Sequence, residues 1–358
     1  MNRFIDIAAP RRMALAMLAA IGLAGTAPGQ TAVAQTGFAR IEAGGLPVTL
    51  VYPTEQRAAP RTFGPFTLTI APDAAPLPGI RRLVVLSHGT AANALVEHDL
   101  AARLAAAGFI VAQPQHSGDN AEDSSAAGPE SFQRRPREVS AVIDALAAHP
   151  AWGPRLDLDR VGVHGTSAGA VTALALAGAE WRLLDLVRHC LVAGDRDRGF
   201  CYNDTRTDEA RAARRARFES ARDVPDALLG PELRASHGGR DPRIVVATVA
   251  MPAAAIFPAT SLAAIAIPVG VVSAERDGMN PNAFHTDHLL RHCRACTGLA
   301  VMRGAGHMDF MSPWPPTVAQ AVIARMAVGA TPEPGFDPAE RVAAYDAIAA
   351  HFQRYLAP

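Results

Sequence analysis

The segment Gly165-Thr166-Ser167-Ala168-Gly169 constrains this chain more than any other, because it fits the pattern G-x-S-x-G between two different elements. The apolar run Val161–Val163 before it predicts a buried strand, and the run Ala170–Ala177 after it predicts a helix. A serine between glycines at a strand-to-helix turn is typical of a nucleophile elbow. The first N–H groups of the helix would then face the negative charge that develops at the serine.

The pattern around this turn predicts the α/β class, with a mostly parallel central sheet and helices on both faces. Apolar or alternating runs predict strands at Pro47–Pro53, Phe66–Ile70, Arg82–Ser87, Phe109–Ala112, Ile244–Val249, Ile267–Ser273 and Leu299–Met302, the first two being antiparallel edge strands. Helical periodicity predicts helices over Ala94–Ala107, from Pro136 after a loop at Pro114–Arg135, over Thr317–Ala327 with Gly329 closing it, and from the capping box Asp337–Glu340.

Residues 183–242 interrupt this alternation, since arginine and aspartate are dense there and apolar periodicity is weak. We interpret the segment as a helical and loop insertion after the nucleophile helix, lying over the carboxyl edge of the sheet. The alternative is a solvated excursion with no part in function.

The first 34 residues have the features of an export signal. Arg11-Arg12 precede an apolar run, Met13–Ala24, that is shorter than the roughly 20 residues of a membrane span. Ala32-Val33-Ala34 then form an A-x-A cleavage site. We therefore predict a signal peptide over residues 1–34, a single mature domain over residues 35–358 with no membrane span, and a periplasmic or secreted location. The alternative is a flexible apolar tail.

Composition limits the partners of the chain. Its 358 residues are 49% hydrophobic, enough for a large core, and 34 basic residues balance 34 acidic ones. That balance gives no reason to expect nucleic acid or an anionic surface as a partner.

Four cysteines in an exported chain favour disulfides, most simply Cys190–Cys201 and Cys293–Cys296, although three connectivities are open. Oligomeric state is not indicated.

A serine nucleophile needs a base and a group that orients the base. His307 lies in a small-residue loop after the last predicted strand, where it could reach Ser167. Asp277 follows the preceding strand beside a glycine, with Glu275 and Asp309 as rivals for the acid. The chain order Ser167, Asp277, His307 is the nucleophile–acid–base order of nucleophile-elbow hydrolases.

An oxyanion hole needs two backbone N–H groups. The N–H of Ala168, directly after the nucleophile, is one candidate. The other should come from His88-Gly89-Thr90, after the first central strand, with Thr90 as the donor. His88 and His164 precede glycines at strand ends, and we interpret both as structural.

A second group of polar residues offers a competing interpretation. His285, His288, His292, Cys293 and Cys296 are closely spaced, and histidines four apart on a helix can bind zinc. Oxidised cysteines cannot act as ligands, however, and this fold places an ordinary surface helix at that point. We predict no metal site and no cofactor.

The chain resembles the α/β-hydrolase fold over roughly residues 45–328, and within it the exported serine-type predicted dienelactone hydrolase group, related to platelet-activating-factor acetylhydrolases. The resemblance is carried by Leu83–Gly89, Leu104–Pro114, Gln115–Asp119, Arg134–Val139, Ala305–Phe310 and the elbow itself. It implies hydrolysis of carboxylic esters by a Ser-Asp-His triad. True dienelactone hydrolases have a cysteine nucleophile, whereas position 167 is serine.

The expected function is therefore a serine hydrolase that cleaves small-molecule carboxylic esters through an acyl-enzyme. The alternatives are an acyltransferase or peptidase with the same triad, or a catalytically silent binding protein of this fold.

Overall fold

Ten strands form one sheet, in the order β12-β11-β10-β7-β5-β6-β2-β1-β4-β3. The strands are β1 (Gln35–Ala43), β2 (Leu46–Thr54), β3 (Ala59–Phe63), β4 (Phe66–Pro72), β5 (Arg81–Ser87), β6 (Ile110–Pro114), β7 (Leu156–Thr166), β10 (Ile244–Ala250), β11 (Val269–Ala274) and β12 (Cys296–Met302). A separate pair, β8 (Trp181–Arg182) and β9 (Ser236–His237), is antiparallel. From β12 to β6 all neighbours run parallel, whereas β2 pairs antiparallel with both β6 and β1.

Helices cover both faces of this sheet. They are α1 (His98–Ala106), α2 (Pro129–Ala148), α3 (Ala168–Leu176), α4 (Leu183–Ala193), α5 (Arg198–Tyr202), α6 (Asp208–Glu219), α7 (Pro231–Arg234), α8 (Ala259–Ala263), α9 (Thr286–His292), α10 (Pro316–Arg325) and α11 (Pro338–Leu356). This computed structural model describes residues 34–202, 208–220, 224, 230–325 and 333–356. The predicted signal peptide, apart from its last residue, and the predicted helix stop at Gly329 lie outside the described residues.

The core consists of two layers, one on each face of the sheet. Strand β5 shows why, because its side chains alternate. Leu83 and Val85 pack in the layer under α2 and α3, while Val84 and Leu86 pack in the layer under α1 and α11. All four are at most 2% exposed. A strand that is buried on both faces has a continuous apolar sequence. Such apolar runs are the signal from which the parallel sheet was predicted.

One helix boundary was predicted wrongly. Helix α2 begins at Pro129, so the segment from Pro129 to Arg135, predicted as loop, is its first two turns. Both Pro129 and Pro136 suit the first turn of a helix, and the sequence pattern favoured the second one. Strands β1 and β3 were not predicted at all.

The segment 183–242, predicted as an insertion, contains α4 to α7 and also β9, which pairs with β8 directly before the segment. Two disulfides form, Cys190–Cys201 inside this segment and Cys293–Cys296 after α9. Across the described residues, none of the helices has both the length and the apolar character that spanning a bilayer requires.

Candidate active site

Ser167, Asp277 and His307 each follow the carboxyl end of a parallel strand, β7, β11 and β12 respectively. Because β7, β10, β11 and β12 are neighbours in the sheet, the three side chains lie at one edge. Ligand and catalytic groups collect at this edge in open α/β sheets, where the strand ends leave backbone groups unpaired.

Ser167 is held in an uncommon backbone conformation, with φ +56° and ψ −116°. A non-glycine residue at such angles costs on the order of 1–3 kcal/mol, which the surroundings must offset. They do so through hydrogen bonds, since the Ser167 N–H donates to Ala250 O at 3.0 Å and its carbonyl accepts from Ala253 N–H at 3.3 Å. The residue is half-buried, so its hydroxyl is not sealed in the core.

Gly165 and Gly169 are required by close backbone approach. A Cβ on Gly165 would lie 2.0 Å from the carbonyl oxygen of Gly169, and a Cβ on Gly169 would lie 1.8 Å from that of Ser87. No side chain fits either gap. The two glycines of the G-x-S-x-G pattern therefore let β5, β7 and α3 meet tightly enough to place the serine at the tip of the turn.

His307 and Asp277 form a buried pair. His307 Nδ1 lies 2.9 Å from both carboxylate oxygens of Asp277, and the two residues are 3% and 6% exposed. Asp277 Oδ1 also accepts the backbone N–H groups of Met279 and Asn280, at 2.9 and 2.8 Å. The carboxylate is thereby fixed in place, and it in turn fixes the imidazole with Nδ1 protonated and Nε2 available as a base.

A short chain of contacts joins this pair to the nucleophile loop. Asn280 Nδ2 donates to Met251 O at 2.9 Å, and Met251 directly follows the Ala250 carbonyl that binds Ser167. Among the described residues, Ser167 Oγ and His307 make no hydrogen bond to each other. Such bonds often tighten only when substrate binds.

The rival acids have other partners. Glu275 accepts the N–H of Gly304 at 2.7 Å, and Asp309 accepts the N–H of Gly306 at 2.7 Å. Both stabilise the loop that carries His307, whereas Asp277 contacts the imidazole itself.

The two predicted oxyanion donors flank Ser167. Ala168 is the first residue of α3, where N–H groups have no partner within the helix. Thr90, an exposed residue, follows Gly89, and a Cβ on Gly89 would lie 3.6 Å from that of Ser167. The loop after β5 therefore runs beside the nucleophile.

The buried histidines near the elbow support its backbone. His164 is fully buried, with its ring nitrogens 2.8 Å from Thr248 Oγ1 and 3.0 Å from Thr166 Oγ1. Burial lowers the pKa of His164 to about 3, so it stays neutral. It holds Thr166, which precedes the serine. His88 donates from Nδ1 to Gly89 O at 2.7 Å.

One buried acid near the elbow was not singled out from the sequence. Glu97 is 2% exposed, and neither of its carboxylate oxygens has a hydrogen-bond partner of normal geometry among the described residues. Burial raises the pKa of Glu97 to about 7, and the nearby Thr166 hydroxyl offsets only part of that shift. Glu97 lies inside the helix predicted over Ala94–Ala107, and nothing in its local sequence distinguishes it from a surface glutamate.

The histidine and cysteine cluster does not converge on one point. Cys293 and Cys296 are joined in a disulfide, and His288 Nε2 donates to Phe257 O at 2.9 Å. His285 instead lies 3.0 Å from Asp197 Oδ2, which His189 also contacts at 2.6 Å. These contacts tie the segment of α4 and α5 to the segment that follows β11.

The comparisons with known proteins bear on the fold. No family model and no curated protein matches this chain. Among solved structures, the ferulic acid esterase from Streptomyces cinnamoneus is similar, with a TM-score of 0.56 over 92% of each chain and 18% sequence identity. That level of identity shows the fold alone. The chain has the α/β-hydrolase fold, which confirms the prediction, and the resemblance to the dienelactone hydrolase group stays a prediction.

Proposed function

We propose that the protein is a serine hydrolase that cleaves carboxylic esters through Ser167, His307 and Asp277. The observation that carries this proposal is the pairing of His307 with both oxygens of a buried carboxylate, on the same sheet edge as a serine at φ +56°. A strained serine at a helix N-terminus and an oriented imidazole are the parts that acyl transfer requires.

In the proposed reaction, His307 Nε2 takes the proton of Ser167 as its oxygen attacks the ester carbonyl. The N–H groups of Ala168 and Thr90 stabilise the oxyanion, and Asp277 stabilises the imidazolium. His307 then gives its proton to the departing alcohol, which leaves an acyl-enzyme on Ser167. Water attacks this ester with His307 again as base, and the acid is released. None of these steps calls for a cofactor.

Two likenesses support a carboxylic ester as the substrate. The structural neighbour is named as an esterase of ferulic acid, and the sequence resembles serine esterases of the dienelactone hydrolase type. We therefore propose a small carboxylic ester as substrate. The two disulfides favour an oxidising location, periplasmic or secreted, as the N-terminal sequence also predicts.

The test is hydrolysis of p-nitrophenyl esters of increasing acyl length, together with one aromatic acid ester, by the wild type and Ser167→Ala. Ser124→Ala is a matched control, because Ser124 is exposed on a loop. We expect turnover of at least one ester by the wild type and the control, and none by Ser167→Ala. An active Ser167→Ala variant would refute the assigned nucleophile. A wild type that neither turns over esters nor reacts with a fluorophosphonate would favour the silent binding protein.

A further inference from the structure

A buried polar cluster lies beneath the loop that carries one of the proposed oxyanion donors. At its centre are Asp119 and Arg135, each 0% exposed, with Arg135 Nη2 2.7 Å from Asp119 Oδ2. Burying an ion pair carries a desolvation penalty, which is offset only when the remaining polar atoms of the pair are hydrogen-bonded. The hydrogen bonds of Asp119 and Arg135 therefore indicate which part of the structure the pair stabilises. The reaction proposed above makes no use of either residue.

Arg135 contacts two successive carbonyls of the loop. Its Nη1 donates to His88 O at 2.6 Å, and its Nη2 makes a longer contact with Gly89 O at 3.4 Å. In a planar trans peptide, the N–H points opposite to the C=O. With both carbonyls turned toward the guanidinium, the N–H groups of Gly89 and Thr90 point away from it. Successive N–H groups that face the same way form an anion-binding concavity.

Asp119 fixes the next peptide, Thr90–Ala91, with its N–H pointing toward the ion pair and not away from it. Its Oδ1 accepts the N–H of Ala91 at 2.9 Å, where the backbone turns through a φ of +53°. Its Oδ2 accepts the Ser131 hydroxyl at 2.6 Å as well as Arg135. Both ends of the Thr90 residue are therefore held by the ion pair, one through Arg135 and the other through Asp119.

A second row of side chains, which begins at His88, supports the same Gly89–Thr90 peptide. The backbone N–H of His116 donates to His88 Nε2 at 3.3 Å, which leaves the ring proton on Nδ1, where it donates to Gly89 O at 2.7 Å. His116 is itself fixed between Ser87 Oγ, at 2.8 Å, and Glu138 Oε2, at 2.6 Å. Burial, reinforced by Arg135, holds the pKa of His88 and of His116 well below its usual range.

The Ser87–His116–Glu138 row has the order of a catalytic triad, but it is not a second hydrolytic site. Ser87 and His116 are both 0% exposed, so no substrate reaches the Ser87 hydroxyl. Its place is structural, next to the loop that runs beside Ser167.

We propose that Arg135, paired with Asp119, is a positioning residue that sets the orientation of the Gly89–Thr90 peptide and so builds the second half of the oxyanion hole. This inference rests on the proposed function. Arg135 touches no reacting atom. It acts through the peptide whose N–H would hold the oxyanion.

The test compares an ester with its thionoester, in which sulfur replaces the carbonyl oxygen. Sulfur is a weak hydrogen-bond acceptor, so an intact oxyanion hole accelerates the oxygen ester far more than the thionoester. The variants are Arg135→Met, Arg135→Lys, and Arg135→Met combined with Asp119→Asn, which removes both charges yet leaves an oxygen for the Ala91 N–H. The control is Arg243→Met, since Arg243 forms half-buried ion pairs just before β10, at the opposite end of the strands.

We expect Arg135→Met to lower kcat on the oxygen ester by about 10- to 100-fold, with KM little changed, because one donor is misplaced rather than deleted. The oxygen-to-thiono ratio of kcat/KM should fall by roughly tenfold, and by less in Arg135→Lys, which keeps the charge but loses the planar fork. The control should keep the wild-type ratio.

The double variant and Arg135→Lys keep the test valid if Arg135→Met does not fold, since neither leaves a buried charge unpaired. A ratio equal to that of the wild type in every folded Arg135 variant would overturn the inference, even where stability falls. A wild type without esterase activity would instead overturn the proposed function, so the two failures are distinguishable.

Discussion

Replacing Glu97 with glutamine should change how the stability of the protein depends on pH. In the folded state the buried carboxyl has its pKa raised from 4.5 to about 7, so it keeps its proton where the unfolded chain has lost it. The native state then binds more protons than the unfolded state, and stability falls as pH rises. The loss begins near pH 4.5 and is complete above about pH 7.

The size of the effect follows from that interval. Each unit of pKa difference corresponds to about 1.36 kcal/mol, so Glu97 should lower the free energy of unfolding by about 3 kcal/mol between pH 4.5 and pH 8. Glutamine has no proton to lose and removes this dependence, although its amide has a buried environment with few partners. The prediction therefore concerns how the free energy of unfolding changes with pH and not its absolute value.

The assay is urea unfolding at pH 5, 6, 7 and 8, with the disulfides intact, for the wild type, Glu97→Gln and the exposed control Glu55→Gln. Titrations elsewhere, including that of the adjacent His98, occur in all three proteins and cancel in the difference. Between pH 5 and pH 8 the wild type should lose about 2 to 3 kcal/mol relative to Glu97→Gln, and the control should follow the wild type. Parallel curves for the wild type and Glu97→Gln would contradict a raised pKa of the Glu97 carboxyl in the folded protein.

Three other predictions follow from the site and its supports. Asp277→Asn should lower kcat by about 10⁴-fold while the protein stays folded, because an amide favours the wrong imidazole tautomer; a loss of less than tenfold would contradict this role. Gly169→Ala should cost about 3 kcal/mol or more in urea unfolding, since its Cβ would lie 1.8 Å from Ser87 O. Gly298→Ala should be tolerated, since its Cβ would make only an ordinary contact with Leu290 Cδ1 at 3.9 Å. Asp197→Ala should cost about 3 kcal/mol, because it leaves two histidine N–H groups without their acceptor, and an unchanged unfolding midpoint would contradict that.

The parts of the fold that could be predicted are those that the local sequence determines. The Val161–Val163 run, the two glycines around Ser167 and the helix after them each carry their own signal, because burial on both faces and close backbone approach restrict the residue types directly. The parallel direction of the central strands could be predicted from the alternation of strands and helices, whereas the order of the strands in the sheet was not predicted.

The parts that could not be predicted depend on partners distant in sequence. Strand β1 is stabilised by pairing with β2, and its sequence, QTGFARIEA, contains no run of β-branched residues. Arg135 lay in a stretch read as a loop, yet it is fully buried against Asp119, 16 residues away. No periodicity separates such an arginine from a surface one, because the acid that makes its burial tolerable belongs to another element.

The site shows the same division. Ser167 could be placed from its motif, and His307 and Asp277 from their positions after successive strands. The support beneath the Gly89–Thr90 peptide could not, since it is assembled from the loop after β6 and the first turns of α2.

The role of Ser167 as the nucleophile is tested by trapping the acyl-enzyme. The wild type is mixed with an excess of a p-nitrophenyl ester, quenched with acid in the first turnovers, digested and mapped by mass spectrometry, beside Ser167→Ala and His307→Ala. We expect an acyl group on the peptide that contains Ser167 in the wild type and none in either variant. An acyl group on another residue, or full turnover by Ser167→Ala, would contradict this role of Ser167.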